Sequence, residues 1–317
     1  MLKRFYKKKF IVCGVVIFTI LLLYFIPSEK KETSIKEELN YVNSNIETSE
    51  IYLLDSNNYL ASTKIVTESK KIEDKAKELL EALIIDSKKQ DSIPNGFKAV
   101  IPSNTKILSL KYADNVIKVD FNSELMNTTK ENEDIIIESI IYTLTSIADI
   151  KHVIIYMDGE ILTTLPQSKI NLPSTLDRSF GINKEYDVKN TKDINKTTVY
   201  YISKFNDNEY YVPVTKINND ARDKIEVIID ELSSNNVYKP NLMSYLNNNT
   251  KILSVNEGEE FVVNFNNAIF NDINSKEILE EVIYTISMSI YDNYDVNSVI
   301  FNVEDEEIYK SVSKSIE

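Results

Sequence analysis

The sequence predicts an α+β fold built twice: two tandem copies of one small domain, each with two helices packed on a mixed or antiparallel sheet, after an N-terminal transmembrane helix. Three observations carry that prediction. Motifs return in the same order at an offset of about 145 residues, both copies share one apolar helix spacing, and β-type segments alternate with the helices.

The repeat divides the chain. Thr105-Lys106-Ile107-Leu108-Ser109 returns as Thr250-Lys251-Ile252-Leu253-Ser254, Val119-Asp120-Phe121-Asn122 as Val263-Asn264-Phe265-Asn266, and Ile141-Tyr142-Thr143 as Ile283-Tyr284-Thr285. These pairs place the first domain at 50–164 and the second at 197–317. The first helix of one copy carries Ile72, Ala76, Leu79, Leu80 and Leu83, a stripe at i, i+4, i+7, i+8, i+11, and Ala221, Ile225, Ile228, Ile229 and Leu232 repeat it. The second helices are amphipathic too, through Ile137, Ile140, Ile141 and Leu144 in one copy and Leu279, Val282, Ile283, Ile286 and Ile290 in the other.

Val, Ile, Tyr and Phe favour pleated surfaces in Ile51 to Leu54, Tyr59 to Val66, Lys106 to Tyr112 and Val116 to Phe121. Asp114-Asn115 and Glu257-Gly258 read as hairpin turns because these residues tolerate positive φ. Val153 to Met157, Asp158-Gly159 and Glu160 to Thr164 read as a further hairpin. The element order is therefore β-β-α-β-β-α-β-β in each copy. Residues 28–49 are polar and read as a stalk. Residues 165–196 join the copies, and their Ile170, Leu172, Leu176, Phe180 and Ile182 are too apolar for a solvated linker, so docking on a domain is expected.

Residues 1–27 supply the basic tail and the anchor. Lys3, Arg4, Lys7, Lys8 and Lys9 precede an uncharged run from Phe10 to Ile26, which the positive-inside rule orients with the N-terminus cytoplasmic and the bulk extracytoplasmic. The expected location is thus the cell membrane, crossed once. A cleaved signal fits less well, because the run is long for a signal core and no small-x-small site follows Ile26. Cys13 stands near the start of the run, where a lipid-attachment cysteine would follow it, and as the single cysteine it excludes an intrachain disulfide. The formal net charge of -13 repels phosphate backbones, so nucleic acid is not expected as a partner.

The residues offer little for catalysis. The lone His152 opens a strand without a Ser or Cys nucleophile constellation, and a polar strand-edge residue is the commoner meaning of that pattern. Soft ligands are too few for zinc, and five glycines provide no phosphate loop. Glu131, Glu133 and Asp134 open a helix and suit its macrodipole. Asp120, near Glu124, has Asn264 as its repeat mate, and both residue types cap turns through backbone N–H groups. Glu304 to Glu307 lacks the oxygen spacing and turn glycine of a calcium loop and reads as a solvated run. Tyr210, Tyr211, Tyr291 and Tyr294 suggest either a stacking surface or half-buried structural rings. No catalytic, cofactor or metal residue is assigned.

Taken together, Tyr211-Val212-Pro213-Val214-Thr215-Lys216, Ala99 through Ser109, Val119-Asp120-Phe121-Asn122 and Ile141-Tyr142-Thr143-Leu144-Thr145 resemble the GerM domain family of spore-forming bacteria. The first copy departs from it, with Leu60-Ala61-Ser62-Thr63 where the family's strand carries a proline motif. The resemblance implies a non-enzymatic sporulation or germination protein that helps an envelope-spanning, secretion-like channel assemble between mother cell and forespore. It also implies similarity to that channel's ring-building domains. Expected partners are then protein components of the channel, with the membrane contacted through Phe10 to Ile26. The alternative is an extracytoplasmic module that binds peptidoglycan or its fragments.

Overall fold

The computed structural model describes residues 47–234 and 241–312. The expected anchor Phe10 to Ile26, the basic tail and nearly all of the expected stalk lie outside the described residues. Within them, no helix is long and apolar enough to cross a membrane.

The first repeat runs β1 (Thr48–Asp55), β2 (Leu60–Val66), α1 (Ile72–Ala82), β3 (Phe97–Lys98), β4 (Ile107–Ala113), β5 (Val116–Phe121), α2 (Lys130–Leu144), β6 (His152–Met157) and β7 (Glu160–Ile161). A joining segment with β8 (Glu185–Asp187) leads to the second repeat. That repeat comprises β9 (Asn195–Phe205), β10 (Asn208–Asn218), α3 (Lys224–Ser233), β11 (Ile252–Asn256), β12 (Glu260–Phe265), α4 (Glu280–Asn293), β13 (Ser298–Val303) and β14 (Glu306–Val312). The paired order of strands and helices is the one the repeat predicts. β1 begins at Thr48, so Thr48 and Ser49 belong to the sheet and not to a stalk.

Each repeat contributes a four-stranded sheet, β4-β5-β6-β7 in one and β11-β12-β13-β14 in the other. Both are mixed, because β5 runs parallel to β6 and β12 parallel to β13, while the outer pairs are antiparallel. Parallel neighbours need a long crossover, which α2 and α4 provide. The Asp114-Asn115 turn has φ of 52° and 62°, the left-handed pair of a tight hairpin. Gly258 does not take positive φ, so the β11–β12 connection turns by other means than the one expected. The strand after Asp158-Gly159 is shorter than expected and ends at Ile161.

β4 and β11 are edge strands, and each carries a bulge at the same motif. The register skips Leu108 between Ile107 and Ser109, and skips Leu253 between Ile252 and Ser254. The unpaired residue leaves the ladder at a bulge. Both leucines are about half exposed, at 51% and 49%.

The helix stripes sit as their spacing requires, since Ala76, Leu79, Leu80 and Leu83 are fully buried and Ile72 packs at the margin of the same core. In α3, Ile225, Ile228, Ile229 and Leu232 are buried. Ala221 is the exception: it is exposed and precedes the helix, because the Asp223 side chain accepts from the Ile225 N–H at 3.3 Å and starts the helix there. From the joining segment, Leu172, Leu176 and Ile182 are buried within the first repeat's core together with Leu165, and Phe180 packs against it, whereas Ile170 is 43% exposed and does not dock.

The remaining hairpins of the two repeats merge into one six-stranded sheet. β3 pairs with β1, β1 with β2, β2 with β10, and β10 with β9 along its full length, while β8 runs parallel to the far end of β10. Because β1 is the repeat mate of β9 and β2 of β10, the order β1-β2-β10-β9 is symmetric about the seam between β2 and β10. Ala61 of β2 is fully buried and belongs to the second repeat's core. The two repeats thus share both a sheet and apolar packing.

Candidate functional site

Residues singled out in the sequence are scattered and individually occupied. His152 places Nδ1 3.5 Å from an Asp177 carboxylate oxygen at the start of β6. Asp120 accepts from the Gly159 N–H at 3.1 Å, and its mate Asn264 accepts from the Asp305 N–H at 3.0 Å, so each pins the turn that follows the neighbouring parallel strand. Glu124 accepts from the Asn127 side chain. Glu133 does more than face a helix dipole, since it is fully buried and accepts from the Gln167 and Ser168 N–H groups at 2.6 and 2.7 Å, which ties the joining segment to α2. Glu304 to Glu307 is exposed around the β13–β14 turn. The four tyrosines are engaged: Tyr210 donates to Asp55, Tyr211 stacks on Tyr284 at 3.9 Å, Tyr291 donates to the Ser311 carbonyl and Tyr294 to Asp223. Among the described residues, no group of three His, Cys, Asp or Glu side chains is placed to hold a metal ion.

The concentrated chemistry lies instead at the seam, where Tyr142, Thr143 and Thr145 of the repeated helix motif meet Tyr52, Tyr200, Arg178 and Asp292, which the sequence pattern did not mark. Strand mates Tyr52 and Tyr200 each donate a backbone N–H to a hydroxyl on the second helix of their own repeat, Thr143 at 3.0 Å and Ser289 at 2.9 Å. Their phenol oxygens meet across the seam at 3.2 Å. Arg178, delivered by the joining segment, extends between the C-terminal ends of α2 and α4. It donates to Thr145 at 3.0 Å, to Tyr200 at 3.1 Å and to Asp292 at 2.6 Å, and lies over the Tyr142 ring at 4.8 Å. A cation suits that position, because both helix ends present partial negative charge. The guanidinium also stacks on aromatic faces in a way an ammonium does not.

This pair is desolvated on both sides, with the Arg178 side chain 19% exposed and that of Asp292 2%. Burial pushes the Asp292 carboxyl up from its ordinary value, against the opposing pull of Arg178 and the Tyr200 hydroxyl. Burial works most strongly against the Arg178 charge, but Asp292 together with the Tyr52, Tyr200 and Tyr142 oxygens outweighs it and holds the guanidinium protonated. Burial also raises the Tyr52 and Tyr200 hydroxyls, so they stay neutral hydrogen-bonding groups. The arrangement stabilises one orientation of two repeats. It offers no activated nucleophile.

A second device completes the seam. Tyr211 pairs with Ser62, which sets Leu60 against Pro213, and proline has no N–H to give the ladder. Asn183 supplies the missing donor: its Nδ2 donates to the Leu60 carbonyl at 2.8 Å and the Pro213 carbonyl at 2.7 Å, while its Oδ1 accepts from the Leu60 N–H at 2.9 Å. Asn183→Ala would orphan those groups and is expected to cost about 1 to 3 kcal/mol, read from urea melts. No loss would mean that the seam does not depend on this bridge.

A sequence signal for Arg178 existed. The chain has only three arginines, Arg4, Arg178 and Arg222, among many lysines, so an arginine in an apolar joining segment marks a site that needs the planar fork.

Comparison with known proteins bears on both repeats. The family model described as Germane, sporulation and spore germination, matches residues 50–163 and 198–309. The spore germination protein GerM of Bacillus subtilis (strain 168) is 32% identical over 285 residues, spanning 87% of this chain and 75% of that protein. The solved tandem GerMN domains of the sporulation protein GerM from Bacillus subtilis align with a TM-score of 0.74 at 28% identity, covering 85% of this chain and 97% of that one.

Proposed function

The chain belongs to the GerM family of sporulation and spore germination proteins, and we propose that it is a non-enzymatic assembly component of an envelope-spanning complex between mother cell and forespore. In this reading Phe10 to Ile26 anchors it in the membrane with both repeats on the extracytoplasmic side, confined near its partners at raised effective concentration. The partners are protein components of that complex.

The observation that carries the reading is the rigid presentation of equivalent surfaces. A shared sheet and a buried Arg178–Asp292 pair fix the two repeats, and each presents an edge strand with a half-exposed leucine, Leu108 on β4 and Leu253 on β11. Edge strands are surfaces that proteins either protect or use. A bulge at each edge discourages indiscriminate strand addition, while the exposed leucine remains available to a shaped partner.

Crosslinking in sporulating cells tests this, with a chain lacking the Phe10 to Ile26 run as the control. Reproducible adducts to other envelope proteins that disappear in the control are expected, and Leu108→Asp with Leu253→Asp should abolish them without changing the melting temperature. Adducts to wall fragments alone would contradict the proposal in favour of peptidoglycan binding.

A further inference from the structure

Where the joining segment reaches the seam, it also crosses a buried cluster in which carboxylates outnumber cations. Glu138 on α2 is 4% exposed. Its Oε2 accepts from the Asn183 N–H at 2.8 Å, and its Oε1 lies 3.3 Å from Lys184 Nζ. Lys184 is simultaneously 3.4 Å from Asp134 Oδ2, one turn earlier on the same helix, and its ammonium sits 3.6 Å from the centre of the Phe180 ring. One cation thus faces two carboxylates, with the Glu138 and Lys184 side chains only 5% and 8% exposed. The Asp134 side chain is 29% exposed, so with every group charged the net negative charge is costly chiefly at the buried Glu138. A proton on Glu138 leaves Lys184 balanced by Asp134.

The residue that Glu138 grips is the one that bridges the repeats. Asn183 is held in the left-handed region, with φ of 46°, and joins Leu60 of β2 to Pro213 of β10. Its neighbour Ile182 donates its N–H to Thr215 of β10 at 2.9 Å. We propose that Glu138 is a proton-operated latch on the seam: neutral, it keeps the 181–184 segment seated between the repeats, and charged, it favours lifting of that segment so that the carboxylate can reach water. The device would tie the coupling of the two repeats to the pH of their compartment. It goes beyond the assembly reading and does not depend on it.

The charges set against Glu138 are Lys184, from the joining segment, and Asp134, from its own helix, while β2 and β10 reach it through Asn183. Burial pushes the Glu138 carboxyl up to about 7, with Lys184 and the Asn183 N–H pulling the other way and Asp134 adding to the rise. A carboxyl raised in the folded chain stabilises it most below the unfolded value, and that stabilisation is lost as pH climbs through about 7. Seating is therefore strongest in mild acid and weakest in mild base. The surface carboxyls of Glu209 and Glu260 and the half-buried one of Asp220 are pulled below their ordinary values by Lys204, Lys310 and Arg222 respectively, so their pH effects fall at lower pH.

Amide hydrogen exchange of the full-length chain at about pH 6 and about pH 8.5, corrected for intrinsic rates, tests the latch on peptides carrying Ile182, Asn183 and Lys184. Wild-type protection there is expected to fall by about tenfold or more between the two conditions, whereas Glu138→Gln, which keeps an acceptor but cannot charge, should hold it constant. Unchanged wild-type protection, or an equal fall in Glu138→Gln, would overturn the proposal. Should that variant not fold, a carbon-13 titration of the wild-type Glu138 carboxyl decides: a midpoint near 7 supports the latch, and one in the ordinary carboxylate range overturns it.

Discussion

Arg178→Met is expected to cost about 3 to 5 kcal/mol of unfolding free energy, because it leaves the Asp292 carboxyl buried without its cation. The partner change Asp292→Leu should cost a similar amount by stranding the guanidinium between the helix ends. Combining the two removes both desolvated charges together, and the double variant is expected to lie within about 1 to 2 kcal/mol of wild type, since apolar replacement of a whole buried pair is often close to neutral. A double-mutant cycle from urea melts checks this. Additive losses would mean that the two groups act independently, contrary to their 2.6 Å contact.

Leu79→Ala and Ile228→Ala are each expected to cost about 2 to 5 kcal/mol, through lost transfer energy and the cavity left behind. Both side chains are fully buried, Leu79 in the first core and Ile228 in the second. They hold the same position in the two α-helical stripes and each loses three side-chain carbons, so losses in the same range are expected. Equilibrium urea denaturation measures both, and a change under about 0.5 kcal/mol in either would contradict its place in a core.

The fold was legible where local pattern decides structure. Period-3.6 stripes found α1 and α3, alternating β-branched and aromatic runs found the hairpins, and Asp114-Asn115 named its own turn. Ala221 was misleading because periodicity extended the stripe backwards past the capping Asp223, whose side chain settles the boundary. The seam was not legible, because it depends on residues far apart in the chain, and the repeated Ile141-Tyr142-Thr143 motif does not show that its hydroxyl and ring meet Tyr52 and Arg178. Pro213 stands in the second copy's strand motif, and the Leu60-Ala61-Ser62-Thr63 departure in the first stands opposite it. What the pattern hides is that the two strands pair with each other, and that Asn183 replaces the donor Pro213 lacks. Glu133 and Glu138 look like ordinary acidic residues of a helix, and only burial against the joining segment separates them from a solvated face.

The two repeats behave as one body through the β2–β10 seam. The chain contains no tryptophan, so Tyr112→Trp on β4 and, in a separate protein, Tyr309→Trp on β14 each give a fluorescent probe confined to one repeat. Urea melts of the two proteins should show a single transition with the same midpoint and slope, and adding Leu79→Ala should shift the distant Tyr309→Trp transition as far as the Tyr112→Trp one. Two separate transitions, with Leu79→Ala moving only that of the first repeat, would mean that the repeats unfold independently, contrary to a single body.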